Sequence, residues 1–467
     1  MAPAATDSRV TRLADVVPFR GLRYNPGTVP DLAPVISPPY DIISAGEQKR
    51  YHDRHPLNAI RLDFDIMLPE DDAANNRYTR AAASLGQWIA DKSLLPETSP
   101  AFYLCREEFL LGDGSTGIRE GFFALVRLAE FSEGVVLPHE ETASGPKADR
   151  LRLMQATGAN LSAIYCLYSD PGHAVIETLK KSRTEKPDIF LTDDAGTNHS
   201  LWVVDDPGTT AAVNAVFADK TLLIADGHHR YETALAYRNE RRTEEGANTK
   251  GDMPYDFLMV YLSDMDNTGK SILPIHRFVS GLGGDTIEEM IPALSKKFEL
   301  LEIKGSDGSG KPGEDKSSTD ERQQQMIKMM SQANHDHNIF GMYLPGNDSY
   351  YLLTGRTARP MIGSEENPKS EPYRSLDVAV LDRLILAEAL GIHAGGVNEN
   401  ARVRFVERTE KAFSEVASHG LDVAFFLNPA GMQDIKEVAE AGDKMPQKST
   451  YFYPKPVTGL VFRSFRF

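Results

Sequence analysis

The sequence predicts an α+β fold, with strands and helices mixed rather than following a clean strand–helix–strand rhythm. Three observations point there. A strand-rich stretch runs from about residue 101 to 204, with a hairpin signal at Gly112-Asp113-Gly114-Ser115 between two apolar runs. Apolar residues recur at helical spacing in separate segments, as in Tyr78, Ala82, Leu85 and Ile89. The 467 residues, 41% hydrophobic and 25% charged, have a globular composition and exceed one ordinary core.

Taken in order, Val16–Gly21 and Val35–Asp41 read as short extended segments stopped by proline, and 72–92 as a helix. Strands are expected at Ala101–Leu110, Gly121–Leu128, Ala163–Tyr168, Ser200–Val204, Thr221–Ala225 and Phe257–Leu262, with a helix from His229 to about Glu244. A helix over 284–297 and a strand at Phe298–Ile303 precede a Gly/Ser/Asp/Lys-rich span at 305–322, read as a flexible loop. Beyond it, helices are expected near 321–333, 376–390, 408–418 and 432–440, with strands at 338–344, 350–354, 422–427, 449–453 and 458–464. The regions read as 1–97 (N-terminal α/β), 98–304 (central), the loop 305–322, and 323–467, a C-terminal α/β region packing on the central site.

The formal net charge of −16 disfavours nucleic acid and anionic membrane partners, while leaving room for a small anion in a local basic pocket. No apolar stretch reaches membrane-spanning length, and the N-terminus lacks a signal-peptide pattern, so cytoplasm is the expected location. Cys105 and Cys166 lie in apolar, strand-like contexts and read as buried free thiols.

The strongest chemical signal is Leu222-Leu223-Ile224-Ala225-Asp226-Gly227-His228-His229-Arg230-Tyr231. An apolar strand runs straight into Asp-Gly and then a helix. Gly227 permits a tight turn that aims backbone N–H groups outward, and the helix N-terminus favours an anion. His228, His229 and Arg230 add donors, and a guanidinium can fork onto two phosphate oxygens. Asp226 can cap the helix, hold a divalent metal or orient a histidine.

Four further clusters accompany it. His139 and Glu140, then Lys147 and Arg150, offer a proton acceptor and two cations, or an ordinary charged loop before a helix. Asn160 and Ser162 follow a helix stop at Gly158. Lys448, Ser449 and Thr450 open a strand between prolines, as an anion contact or as a soluble edge. Asp41, Asn58 and Arg61 suit substrate or metal contacts, or caps and turns, and His276-Arg277 ends a strand. Gly305–Lys311 nearly matches a P-loop. Pro312 replaces the required Ser or Thr, so a flexible loop is the better reading.

Together, Pro-Pro-Tyr-Asp (38–41), His-Pro-x-Asn-x-Ile-Arg-Leu (55–62), Pro-Lys-x-Asp-Arg-Leu (146–151), Ala-Asp-Gly-His-His-Arg-Tyr-Glu-Thr-Ala (225–234) and Met-Pro-Gln-Lys-Ser-Thr-Tyr-Phe-Tyr-Pro-Lys (445–455) resemble a widespread bacterial family long known only as a domain of unknown function. Asp-Gly-His-His-Arg also resembles the motif of free-serine kinases of the ParB/sulfiredoxin-like superfamily. That resemblance implies a ParB/sulfiredoxin-like core and phosphorylation of L-serine to O-phosphoserine, a cysteine precursor. It further implies that Asp226–Arg230 cradle phosphate and magnesium, and that a carboxylate acts as base. Glu140 and Asp41 are the candidates for that base, with His139 beside them. Inorganic pyrophosphate is the donor suggested by the resemblance, with ADP or ATP as alternatives. Two competing readings are a metal-dependent phosphohydrolase using Asp226, His228, His229, His139 and His276, and a non-catalytic nucleotide-sensing regulator.

Overall fold

The computed structural model describes residues 14–112, 114–140, 145–246, 251–267, 272–304, 316–333, 336–357, 369–393, 402–416 and 420–467. Helices and mixed sheets make an α+β fold. The contacts divide the chain into two compact units. The first contains residues 1–138, 142–271 and 454–467; the second contains 139–141 and 272–453. The regions 1–97, 98–304 and 323–467 read from the sequence do not map onto these units, because the last fourteen residues belong with the first.

The first unit is built on a nine-stranded sheet: β1 (Val16–Val17), β2 (Phe102–Leu110), β3 (Thr116–Arg127), β4 (Val136–Pro138), β5 (Ile164–Tyr168), β6 (Ile189–Thr192), β7 (Asn198–Val204), β8 (Leu222–Asp226) and β9 (Phe257–Asp264). Their spatial order is β4-β8-β5-β9-β3-β2-β7-β6, with β1 paired to β3. β8 is parallel to β4 and β9 is parallel to β5, while the other pairings are antiparallel.

Side chains alternate across this sheet. One face carries Phe102, Leu104, Phe122, Ala124, Ile164, Cys166, Ile224 and Val260. It packs against Val175, Ile176 and Leu179 of the helix Ala174–Ser182, Val213 and Phe217 of the helix Pro207–Phe217, and Tyr231, Ala234 and Leu235 of the helix His228–Glu245. A smaller core joins Ala81, Leu85 and Trp88 of the helix Arg77–Ala90 to Leu62, Leu153, Leu161 and Phe462. Cys105 and Cys166 are both buried and free.

The opposite face of the main sheet is aromatic and charged. Arg119 is fully buried, donates to Glu107 at 2.6 Å and lies over the rings of Tyr165 and Tyr261. Glu107 also accepts from the Tyr261 hydroxyl at 2.9 Å. His199 sits between Glu107 (3.5 Å) and Asp193 (2.9 Å). Buried charges persist only when paired, and this network pairs each one. Arg119 also donates to the carbonyl of Pro454, which ties the C-terminal segment to the sheet.

The second unit holds a six-stranded antiparallel sheet: β10 (Ile275–Val279), β11 (Phe298–Ile303), β12 (Ile339–Leu344), β13 (Ser349–Gly355), β14 (Val403–Glu407) and β15 (Val423–Leu427). Their order is β11-β13-β12-β15-β10-β14. Met326 and Met330 of the helix Lys316–Gln332 pack with Phe278, Tyr350 and Phe426. Of the expected loop 305–322, residues 305–315, including the P-loop-like Gly305–Lys311, lie outside the described residues, and 316–322 are helical. The strands expected at 449–453 and 458–464 shrink to the pairs Tyr451–Phe452 and Arg463–Ser464. Pro454 and Pro456 interrupt the ladder, and the tail is stitched in by single bridges such as Leu22–Phe462 and Ser37–Thr458.

Burial opposes protonation of His199, but Asp193 and Glu107 outweigh it and raise its pKa to about 9. A folded-state value above the unfolded one contributes stability that is complete below about pH 6.5 and lost as pH rises through about 9. Urea unfolding midpoints are therefore expected to fall between pH 7 and 9 in the parent chain, and His199→Gln is expected to flatten that slope. An unchanged slope in the variant refutes the assignment.

Candidate functional site

The end of β8 creates the site. Its register against β5 slips between Ile224, opposite Cys166, and Asp226, opposite Tyr165. This bulge re-aims the strand end. Gly227 follows in the left-handed region at φ 93°, and the helix begins at His228. A Cβ at 227 would lie 2.8 Å from Ile164 Cγ2 and 3.0 Å from Arg230 Nε. Glycine is thus required twice, for backbone conformation and for room beside the guanidinium.

Arg230 is turned inward. Its Nη1 donates to the Ala163 carbonyl at 2.6 Å and its Nη2 to Asp226 Oδ2 at 2.7 Å. It is 7% exposed. The fork expected to grip phosphate here fixes the turn and supplies positive potential from beneath it. His228 and His229, half-buried, occupy the first helical turn, where backbone N–H groups have no intrahelical acceptor.

A second cation completes the turn. Lys455 Nζ contacts Asp226 Oδ1 and donates to Asp41 Oδ2 at 2.8 Å. Its side chain is 9% exposed, against 34% for Asp41. Burial alone would raise the Asp41 pKa, but the charges of Lys455 and Arg230 win and hold it well below the usual carboxylate range. Burial lowers the Lys455 pKa, and the two aspartates more than reverse this, so the ammonium stays charged.

Asp41 is delivered by the single 3-10 turn Tyr40–Ile42 after Pro38-Pro39. The Tyr40 ring has the Arg150 guanidinium 4.0 Å and that of Arg230 5.9 Å from its centroid. Arg150 comes from the helix Gly145–Thr157 and donates to Asp149 (2.6 Å) and to the carbonyl and carboxylate of Asp63 (2.7 and 3.2 Å). Asp63 Oδ1 also accepts from Ser162 at 3.2 Å, while its Oδ2 is buried without a partner. Burial raises the Asp63 pKa against the pull of Arg150 and Arg230.

Within the first unit, the fold therefore brings Asp41, Arg150, Ser162, Asp226, Gly227 and Arg230 together. Lys147 pairs with Glu232 on the neighbouring helix. Asn58 is buried, with its amide donating to Pro34 and Ile36 carbonyls and its oxygen accepting from Ile60 N–H, which makes it a chain fastener. Arg61 donates to the His52 carbonyl. Asn160 Oδ1 accepts from Met259 N–H and from Arg463.

The second unit contains the remaining candidates. His139 Nε2 lies 2.9 Å from Thr450 Oγ1, Glu140 accepts the Lys448 N–H at 3.0 Å, and Ser449 donates to the Pro446 carbonyl. His276 and Arg277 lie inside β10 rather than at a strand end. His276 Nδ1 accepts from Leu427 N–H, and burial with the Arg277 charge lowers its pKa to about 3. It is a neutral core histidine. Arg277 is 1% exposed, donates to the Ile275 carbonyl and lies over the Phe405 ring.

Tyr40, Asp149 and Lys455 stand inside motifs quoted from the sequence, which gives none of them a chemical role, and Asp63 lies outside every such motif. For Lys455 the place between Pro454 and Pro456 is a further signal, since such a segment is rigid.

Gly227→Ala is expected to lose about 1–2 kcal/mol from the left-handed backbone alone, with the overlap on Arg230 adding to it. Arg230→Ala is expected to cost about 1–3 kcal/mol, because it removes the hydrogen bonds to the Ala163 carbonyl and to Asp226. Urea titration of each variant checks both. Parent-like midpoints would remove Gly227 and Arg230 as the hinge and brace of this turn.

Among solved structures, a free serine kinase in complex with AMP is 11% identical with a TM-score of 0.31, the match covering 70% of this chain and 86% of that one. A conserved hypothetical protein from Pyrococcus furiosus is 13% identical with a TM-score of 0.29, covering 70% and 89%. SbnI with C-terminal truncation from Staphylococcus aureus is 10% identical with a TM-score of 0.30, covering 72% and 85%. Likenesses this distant carry no functional argument. No curated protein matches the chain. The family described as "Protein of unknown function (DUF1015)" matches residues 16–379, and over that span the chain belongs to it.

Proposed function

We propose that this chain is a phosphotransferase that phosphorylates free L-serine to O-phospho-L-serine, with inorganic pyrophosphate as donor, or ADP or ATP in its place. The observation that carries the reading is the convergence of a glycine-hinged helix N-terminus with Asp226, Arg230, Lys455 and Asp41 in one charge-alternating cluster. Phosphoryl transfer needs alignment and charge neutralisation more than covalent help. The N–H groups of the first helical turn lack intrahelical acceptors and suit an anion, and His228 and His229 stand in that turn. Arg230 and Lys455 supply the field behind it.

Magnesium fits the donor set on chemical grounds, since such sites commonly use one or two carboxylates completed by phosphate oxygens and water. Asp226 and Asp41, already drawn to one ammonium, are the residues that would hold it. When bound, the ion would neutralise charge on the donor phosphates. The phosphohydrolase reading is weaker. Among the described residues no group of three or more His, Cys, Asp or Glu side chains is arranged to hold a metal.

The test is L-serine with magnesium and pyrophosphate, ADP or ATP in turn, followed by mass spectrometry. Phosphoserine is expected with at least one donor, and its absence with all three refutes the proposal. Lys455→Met is expected to lower kcat/KM by about 100-fold or more. Parent-like turnover would exclude Lys455 from the chemistry.

A further inference from the structure

We propose that a cavity in the second unit is a binding site for a small aliphatic cation carrying primary ammonium groups. The cavity, of about 230 Å³, lies at one end of the six-stranded sheet. It is lined there by Ile275 and Ile339, which begin β10 and β12, and by Leu427, which ends β15. The helix Met432–Glu440 and the helical segment from Asp377 begin beside it. A single ordered water needs about 10–15 Å³ and a drug-sized ligand about 300–1,000 Å³, so a short metabolite is the matching size.

The polar lining decides the chemical class. The N–H and O–H groups of its side chains are largely spent on the protein. Asn338 Nδ2 donates to the Ser375 carbonyl at 3.0 Å and to Asp377 Oδ1 at 2.8 Å. Ser375 and Ser449 donate to the carbonyls of Pro372 and Pro446. Asn428 Nδ2 donates to the Met330 carbonyl at 3.2 Å, which leaves its Oδ1 as an acceptor. His337 Nδ1 lies 2.7 Å from the Gly355 carbonyl, so Nδ1 carries the proton and Nε2 of the neutral ring accepts. The carboxylates of Asp377 and Asp434 complete an acceptor-rich lining. Among the described residues no lysine or arginine lines the cavity, and half-buried Asp434 makes no ion pair or hydrogen bond. A carboxylate in that state is costly, and a ligand bringing positive charge and several N–H donors relieves it.

Magnitudes separate a cation from an anion here. The start of the helix Met432–Glu440 has no side-chain cap and contributes about half a positive charge. Asp434 folds back over it, with Oδ2 2.7 Å from where a Cβ on Gly431 would stand. Two full carboxylates outweigh that half charge, so an anion is disfavoured. Geometry then disfavours a metal ion, because among the described residues no three His, Cys, Asp or Glu side chains are arranged to hold one. Buried Leu376, Leu427 and Met445 give the methylenes of an aliphatic amine an apolar seat.

The site stands or falls independently of the phosphotransferase reading. The test is calorimetry and thermal unfolding of the full-length chain with putrescine, its diol analogue, and sodium chloride at matched ionic strength. Saturable heat and a rise in Tm are expected with putrescine alone. Asp434→Asn removes a charge that no protein group uses, and is expected to raise the putrescine Kd about tenfold or more. Ala430→Leu narrows the cavity and keeps both carboxylates, and is expected to weaken binding to a similar extent. Absence of saturable binding by the parent overturns the proposal, as does an equal Tm rise with the diol. A parent-like Kd in either variant also overturns it, since the amine is then gathered by the net charge of −16 rather than by the cavity.

Discussion

A single buried ammonium ties together parts of the chain that lie far apart in sequence. Lys455 contacts Asp226, 229 residues earlier, and Asp41, 414 residues earlier. Removing a charge of that size from water carries a penalty of several kcal/mol unless partners surround it. Here the partners are the two carboxylates that flank the turn at Gly227. Without the lysine, Asp41 and Asp226 would repel each other, and the turn would lose one of its two buried cations. The lysine is in turn placed by Arg119, which reaches Pro454 from the polar face of the sheet and is anchored there by Glu107. The network of Glu107, Arg119 and His199 is therefore the foundation under the site as well as part of the fold.

The inward turn of Arg230 changes how the motif is understood. From residue types alone, an arginine beside two histidines suggests direct grip on phosphate. In the folded chain it binds Ala163 and Asp226. It holds the loop shape from which the helix starts at His228. Positive potential still reaches the docking place, because the guanidinium lies immediately beneath. Substituting it would therefore disturb geometry and electrostatics together, and activity alone could not separate the two.

Much of this architecture is legible in the residues. The strand–turn–helix around Gly227 is readable because the apolar run Leu222–Ala225 abuts a glycine and then residues with helical periodicity. The helix Met432–Glu440 and the strand Phe298–Ile303 coincide with their expected limits for the same reason. The helix Ala45–Arg54 is not readable this way: Tyr51 is its one buried residue, so no apolar stripe announces it, and its capping box at Ser44 and Glu47 is the only local sign. The site is half legible. Asp226–Arg230, Asp41, Arg150 and Lys455 stand in local motifs, whereas Asp63 stands in none, and the ion pairs of Asp63 and Lys455 come from partners brought in by tertiary packing. His276 shows the converse, since a histidine beside an arginine looks chemical in sequence and is a neutral core residue in the fold.

The stitching of residues 454–467 into the first unit has a consequence for biosynthesis. A ribosome makes Asp41 and Asp226 early, then the whole 272–453 segment, and only afterwards the lysine that joins them. Nascent chains and fragments ending before position 455 carry Asp41 and Asp226 without the ammonium that joins them, with Arg230 alone on Asp226. The cluster around Asp226 is thereby assembled only after synthesis has passed that point.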